Sequence, residues 1–180
     1  REPVVWQLRD TGRGRRYMET MISDRLDDPD VRALVLHTRE ITEHLSLQAQ
    51  LSHRAFHDDL TGLPNRALLR DRMHQALARL MEGAPAGDAR IGVLLVDLDG
   101  FKAVNDSLGP DDGDTLLVEI AERLTRLVRV GDTLARLGGD EFVLLLESID
   151  GPDRSVRIAE RILEEVSRPV LVGGRTVSVS

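Results

Sequence analysis

Two apolar runs, residues 133–137 and 142–146, are separated only by Gly138-Gly139-Asp140-Glu141. Such a link between two apolar runs points to a tight β-hairpin. Short turns that match strand twist need positive φ, which glycine adopts without steric cost. A lone hairpin buries no core, so further layers are required. Residues 91–96, Ile-Gly-Val-Leu-Leu-Val, read as another strand, apolar throughout and buried on both faces. Between that run and the hairpin, Leu117, Ile120, Ala121, Leu124 and Val128 recur at helical spacing. A helical crossover makes the strands it joins parallel. Strands 91–96 and 133–137 therefore end at one edge, where Asp97 and Asp99 emerge beside Asp140 and Glu141.

The flanks extend this plan. Leu69, Met73, Ala76, Leu77 and Leu80 repeat at helical spacing behind Pro64, a residue suited to a first helical turn. Residues 83–88 read as a loop. A third helix is expected over 152–166, with Ala159, Ile162, Leu163 and Val166 facing inward. Residues 170–172 and 176–180 are strand-like around Gly173-Gly174. From residue 91 the order is β, α, β, β, α, β, the ferredoxin-like arrangement in the α/β (α+β) class.

Residues before 40 have a different character. Three strands are expected, at 4–9, 16–26 and 33–36, with a basic turn at 12–14 and an Asp-Pro loop at 27–30. Three strands need a partner to close a core. Residues 40–56 contain no Gly or Pro, and Ile41, Leu45, Leu51 and Ala55 form a stripe broken by Gln48. This is a connector helix; a short coiled coil and an ordinary amphipathic helix fit the spacing equally.

Composition removes several function classes. The 180 residues contain no cysteine, which excludes disulfides, thiolate metal sites and cysteine nucleophiles. A net charge of −7 and 3% aromatic residues argue against a nucleic-acid polymer as partner. No apolar run approaches the roughly 20 residues that span a bilayer, so no membrane segment is expected in this chain. A P-loop run is absent as well.

The acidic edge carries the chemistry. Four converging carboxylates repel one another unless a cation neutralises them. Oxygen donors without His or Cys suit Mg²⁺ or Mn²⁺, ions that serve phosphoryl and nucleotidyl transfer. Solvated acids at strand ends are the plainer alternative, and the convergence of four beside a Gly-Gly turn favours metal. His53 and His57 are four apart but lack a third ligand, so they read as polar helix residues. Trp6 and Tyr17 read as core or partner-facing anchors.

Gly138-Gly139-Asp140-Glu141-Phe142 resembles the signature of the GGDEF domain, the diguanylate cyclase family. Residues 58–66, Asp-Asp-Leu-Thr-Gly-Leu-Pro-Asn-Arg, resemble the family's opening motif. Residues 97–102, Asp-Leu-Asp-Gly-Phe-Lys, with Asn105-Asp106 and Gly113-Asp114, resemble its central segment. The resemblance implies a ferredoxin-like or polymerase-palm fold. It also implies condensation of two GTP to cyclic di-GMP, with release of pyrophosphate, by a homodimer of facing half-sites. On that basis Asp97, Asp140 and the carbonyl of Leu98 hold the metal. Asp140, Glu141 and Lys102 are catalytic. Phe101, Lys102, Asn105, Asp114, Gly138 and Gly139 contact substrate, Asn105 and Asp114 reading guanine. Arg129 and Asp132 resemble the family's RxxD site, at which product cyclic di-GMP inhibits.

The first 39 residues resemble the end of a PAS sensor domain, with Arg39-Glu40-Ile41-Thr42-Glu43 as its exit. The expected division is therefore 1–39 sensor, 40–56 signalling helix and 57–180 GGDEF domain, the last incomplete at its C-terminus. Pro110 stands where the family usually has His, and Gly100 where a larger residue is common. The family's later basic residues that hold the triphosphate are not in this sequence. The resemblance also allows a non-catalytic domain that binds GTP or cyclic di-GMP and regulates a neighbour such as an EAL phosphodiesterase. A cytoplasmic location is expected.

Overall fold

The structure is a computed structural model that describes residues 3–10, 14–83, 90–149 and 152–180. The chain divides into two compact units, Arg1–His53 and Arg54–Ser180.

The first unit contains strands β1 (Val4–Asp10), β2 (Gly14–Arg25) and β3 (Ala33–Glu40), paired antiparallel in that order. Period-two alternation puts Val4, Trp6, Ile22, Leu34 and Leu36 on one face. That face stays largely exposed, Trp6 at 42% and Leu36 at 61%. The indole N–H of Trp6 donates to Thr20 Oγ1 at 2.8 Å, so its polar tip is satisfied on the sheet itself. Arg16 and Glu40 form a cross-strand ion pair. Hydrogen bonds from Arg16 and then Thr42 pull the Glu40 carboxyl down to about 2. Residues 12 and 13 of the expected basic turn lie outside the described residues. Helix α1 (Thr42–Phe56) follows and buries none of its residues.

The second unit holds the layered core. Its elements are α2 (Arg66–Gly83), β4 (Arg90–Val96), α3 (Phe101–Leu108), α4 (Pro110–Thr125), β5 (Thr133–Gly138), β6 (Glu141–Ile149), α5 (Pro152–Ser167), β7 (Val170–Val172) and β8 (Arg175–Val177). The sheet order is β4-β6-β5, with β6 antiparallel to both neighbours. Strands β4 and β5 are therefore parallel, as the crossover requires. Alternation along β6 divides the core. Phe142, Leu144 and Leu146 join Leu116, Leu117, Ile120 and Leu124 of α4 and Ile158, Ile162 and Val166 of α5. Val143 and Leu145 turn the other way and meet Leu69 of α2 and Ala135 of β5. Each such buried side chain contributes about 1.5–3 kcal/mol relative to exposure, which makes β6 the anchor of the unit.

Several expectations are corrected. The run 91–96 is not buried on both faces: Val93 is 52% and Leu95 66% exposed. Among the described residues β4 has a strand neighbour on one side only. Residues 170–172 and 175–177 pair with each other instead of adding to the main sheet. Residues 178–180 form no strand, although Ser180 and Asp99 exchange two backbone hydrogen bonds at 2.8 and 3.3 Å. The β4–β5 crossover is two helices rather than one. Gly109, at φ +94°, ends α3, and Pro110 opens α4, since proline lacks the donor that a first-turn position leaves unused. Val128 lies beyond the end of α4. Leu163 is 61% exposed, because the inward stripe of α5 is Ile158, Ile162 and Val166 at strict i+4 spacing. Leu77 is 44% exposed for the same geometric reason, with Leu69 and Ala76 taking the inward stripe of α2.

Pro64 does not open α2. Asn65 caps it, its Oδ1 accepting from the amides of Ala67 at 2.9 Å and Leu68 at 3.2 Å. Gly83 closes α2, and residues 84–88 of the expected loop lie outside the described residues. Among the described residues no helix is long and apolar enough to cross a membrane.

Candidate functional site

The site is built at one end of the β4-β6-β5 sheet. Gly138 pairs with Glu141, so Gly139 and Asp140 form a two-residue turn. Gly138 sits at φ +138° and Gly139 at φ +55°. A Cβ at either position meets nothing within 4 Å. The glycines are therefore required by backbone conformation, and the space around the turn is open. Val96 pairs with Phe142, so one further step places Asp97 at the register position of Glu141. The sheet thus brings Asp97, Asp140 and Glu141 to one edge, Asp97 exposed and the other two partly exposed. The backbone of Asp99 is occupied by Ser180, and its side chain is exposed.

Leu98 is 1% exposed and pins the start of the following loop in the core. Its carbonyl accepts the Phe101 amide at 3.2 Å, which leaves one lone pair for another partner. Gly100, at φ +90°, turns the chain into α3, which accounts for glycine at a position where a larger residue was expected. The Phe101 ring is buried at 8% exposure, so only its backbone is available to a ligand. Lys102 is exposed in the first turn of α3 and is the single lysine among the chain's 24 basic residues.

Asn105 and Asp114 come from different helices. The Asn105 carboxamide lies against Gly113 of α4, where a Cβ would overlap Oδ1. That oxygen is buried and has no hydrogen-bond partner among the described residues. An acceptor of this kind is costly unless a ligand donor reaches it. Asp114, next along α4, is exposed.

Arg129 and Asp132 are adjacent, with Arg129 Nε 3.4 Å from Asp132 Oδ2. The Asp132 side chain is buried, and Arg154 Nη2 approaches the same oxygen at 2.6 Å. Arg129 and Arg154 both donate to the Glu147 carbonyl, at 2.8 and 3.2 Å. Sequence spacing gave no sign of Arg154, which reaches this cluster from the first turn of α5.

A second residue missed in the sequence is Arg136. It lies in β5 at 8% exposure, and its guanidinium donates twice to the Gly139 carbonyl, at 3.0 and 2.7 Å. Its remaining nitrogen donates to Asp58 Oδ1 at 2.8 Å. The signal was there: a charged residue inside an apolar strand demands a partner. Burial disfavours ionisation of Asp58, but hydrogen bonds from Thr61 and Arg136 outweigh it, so the carboxyl lies below the ordinary Asp value.

The oxygen donors at the sheet edge fit Mg²⁺ or Mn²⁺ by type. Among the described residues no group of three or more His, Cys, Asp or Glu side chains is arranged to hold a metal. Two carboxylates and a carbonyl suit an ion that keeps water and shares phosphate oxygens.

Comparison with known proteins gives a consistent answer. The family described as diguanylate cyclase, GGDEF domain, matches residues 55–180. The bifunctional diguanylate cyclase/cyclic di-GMP phosphodiesterase MucR of Pseudomonas aeruginosa is 47% identical over 131 residues, 73% of this chain and 18% of MucR. Diguanylate cyclase TpbB of the same species is 44% identical over 133 residues, 73% of this chain and 30% of TpbB. The chain thus spans less than a third of these relatives. Among solved structures, the GGDEF domain of TpbB matches at 42% identity and TM-score 0.64, over 69% of this chain and 70% of that one. The coiled coil and GGDEF domain of DgcB from Caulobacter crescentus, in complex with c-di-GMP, matches at 25% identity and TM-score 0.68, over 78% and 73%. With its Gly-Gly turn, its acidic sheet edge and this match over residues 55–180, the chain belongs to the GGDEF-domain family of diguanylate cyclases.

Proposed function

We propose that the second unit is the nucleotidyl-transfer domain of a diguanylate cyclase that condenses two GTP into cyclic di-GMP. The observation that carries this reading is the register that sets Asp97 beside the Gly139-Asp140 turn. Asp97, Asp140 and the Leu98 carbonyl hold Mg²⁺ or Mn²⁺. When bound, the ion offsets phosphate charge and makes the 3′-hydroxyl of GTP more acidic. Asp140 or Glu141 accepts the proton of that hydroxyl. The 3′-oxygen then bonds to the α-phosphorus of the facing GTP, and the bond to the β-phosphate breaks, releasing pyrophosphate. The same exchange in the opposite sense closes the ring, which is why two copies of the domain are needed.

Lys102 offsets triphosphate charge as a mobile point charge. The backbone of Phe101 and of the Gly138-Gly139 turn lines the phosphates. Asn105 accepts a guanine N–H through its unpartnered Oδ1, and Asp114 accepts from the N1 and N2 edge. Arg129 with Asp132 binds product and inhibits. The first unit is the end of a PAS-type sensor, and α1 carries its signal to a homodimer.

Given GTP and Mg²⁺, a protein carrying this whole domain forms cyclic di-GMP, and Asp140→Ala takes the product below detection. Absence of product with GTP still bound sinks the cyclase reading in favour of a non-catalytic regulatory domain.

A further inference from the structure

A hydrogen-bonded assembly stands directly behind the Asp140 turn. Arg136 directs three nitrogens at two acceptors, the Gly139 carbonyl and the Asp58 carboxylate. Gly139 immediately precedes Asp140, so the guanidinium holds the peptide from which the Asp140 side chain springs. Asp58 is itself fixed, since its Oδ1 also accepts the amide of Thr61 at 2.9 Å and its hydroxyl at 2.7 Å. The Arg136 backbone amide donates to the Pro64 carbonyl at 2.9 Å, so residues 58–64 grip β5 by main chain and side chain together. On the side where a Cβ would stand, neither turn glycine meets a heavy atom within 4 Å among the described residues.

We propose that Arg136, oriented by Asp58, is a positioning residue that sets the Asp140 turn for metal. The proposal rests on the reading of Asp97 and Asp140 as metal ligands. Neither Arg136 nor Asp58 touches the ion. A planar fork makes both bonds to one carbonyl oxygen, which a lysine ammonium at this position cannot reproduce while also reaching Asp58. Partners of this kind, one shell behind the ligands, commonly change metal affinity by about 10–100-fold when lost.

The test is Mn²⁺ binding to the full chain without nucleotide, read as the loss of the free-ion electron paramagnetic resonance signal. Arg136→Gln is expected to weaken Mn²⁺ by about 10–100-fold. Arg136→Lys and Asp58→Asn are expected to fall between that variant and the parent. The kcat for cyclic di-GMP should fall in the same order, while KM for GTP holds. Folding is checked by amide exchange in α4 and β6, which should not change. If Arg136→Gln does not fold, Asp58→Asn carries the test, because it removes the carboxylate that orients the guanidinium while keeping Arg136 in the strand. Parent-like Mn²⁺ affinity in a folded Arg136→Gln or Asp58→Asn, with binding lost in Asp140→Ala, overturns the positioning role. Equal binding by Asp140→Ala and the parent, or none by the parent, overturns the metal reading itself.

Discussion

Gly113 shows how much one missing methyl can decide. Replacing glycine by alanine inside a helix ordinarily stabilises by roughly 0.5–1 kcal/mol. Here the new methyl overlaps Asn105 Oδ1, so one of the two must move. Overpacking of this sort costs about 1–3 kcal/mol, and the sign reverses. Gly113→Ala is therefore expected to lower the thermal midpoint and, with Asn105 contacting guanine as proposed, to weaken GTP. Unfolding scans with and without GTP measure both effects, and a raised midpoint would contradict the contact. Asn105 and Asp114 were singled out in the sequence only through motif resemblance. The contact that explains Gly113 depends on the meeting of α3 and α4, which no residue pattern states. Arg136 was legible as an anomaly, but its acceptors were not, because they lie 78 residues upstream and in the turn behind it.

Elements were readable where local chemistry sets them. The Gly138-Gly139 hairpin was, because backbone sterics decide it on the spot. The break between α3 and α4 was written in Gly109-Pro110, though apolar periodicity hid it. The exposure of β4 was not readable, since an apolar run does not say how many strands will flank it. The difference has energetic content. Leu95, 66% exposed on β4, is expected to tolerate Lys with a change within about 0.5 kcal/mol. Leu144, 0% exposed on β6, is expected to lose about 2–5 kcal/mol on change to Ala. Urea unfolding of the two variants separates these cases. Equal costs would mean that β4 is covered in solution. The Lys substitution should also reduce self-association, because charge on an open strand edge opposes pairing with another chain.

One long-range pair contributes a definite component to the acid response of the molecule. The folded Asp58 carboxyl lies below its ordinary value, with burial opposing and the bonds from Thr61 and Arg136 prevailing. An unfolded Asp titrates near about 3.9. The unfolded chain therefore takes up the proton first as pH falls. The stabilisation is complete above about pH 4 and is lost as pH drops through the lower folded value. Asp58→Asn should then be less stable than the parent near neutrality, with the gap narrowing below about pH 4. Urea midpoints across that range test it, and a constant gap would remove the ionised pair as its source. Glu40 titrates in the same direction, down to about 2, but water reaches and screens its pair with Arg16, so the first unit adds little to this limb.

Lys102 gives the molecule a property of another kind. A chain with 24 basic residues of which one is lysine offers a single side-chain amine to acylating reagents, and that amine stands exposed at the start of α3. If Lys102 stands beside the triphosphate as proposed, GTP is expected to slow acylation of this one side chain, and mass spectrometry of the labelled peptide measures it.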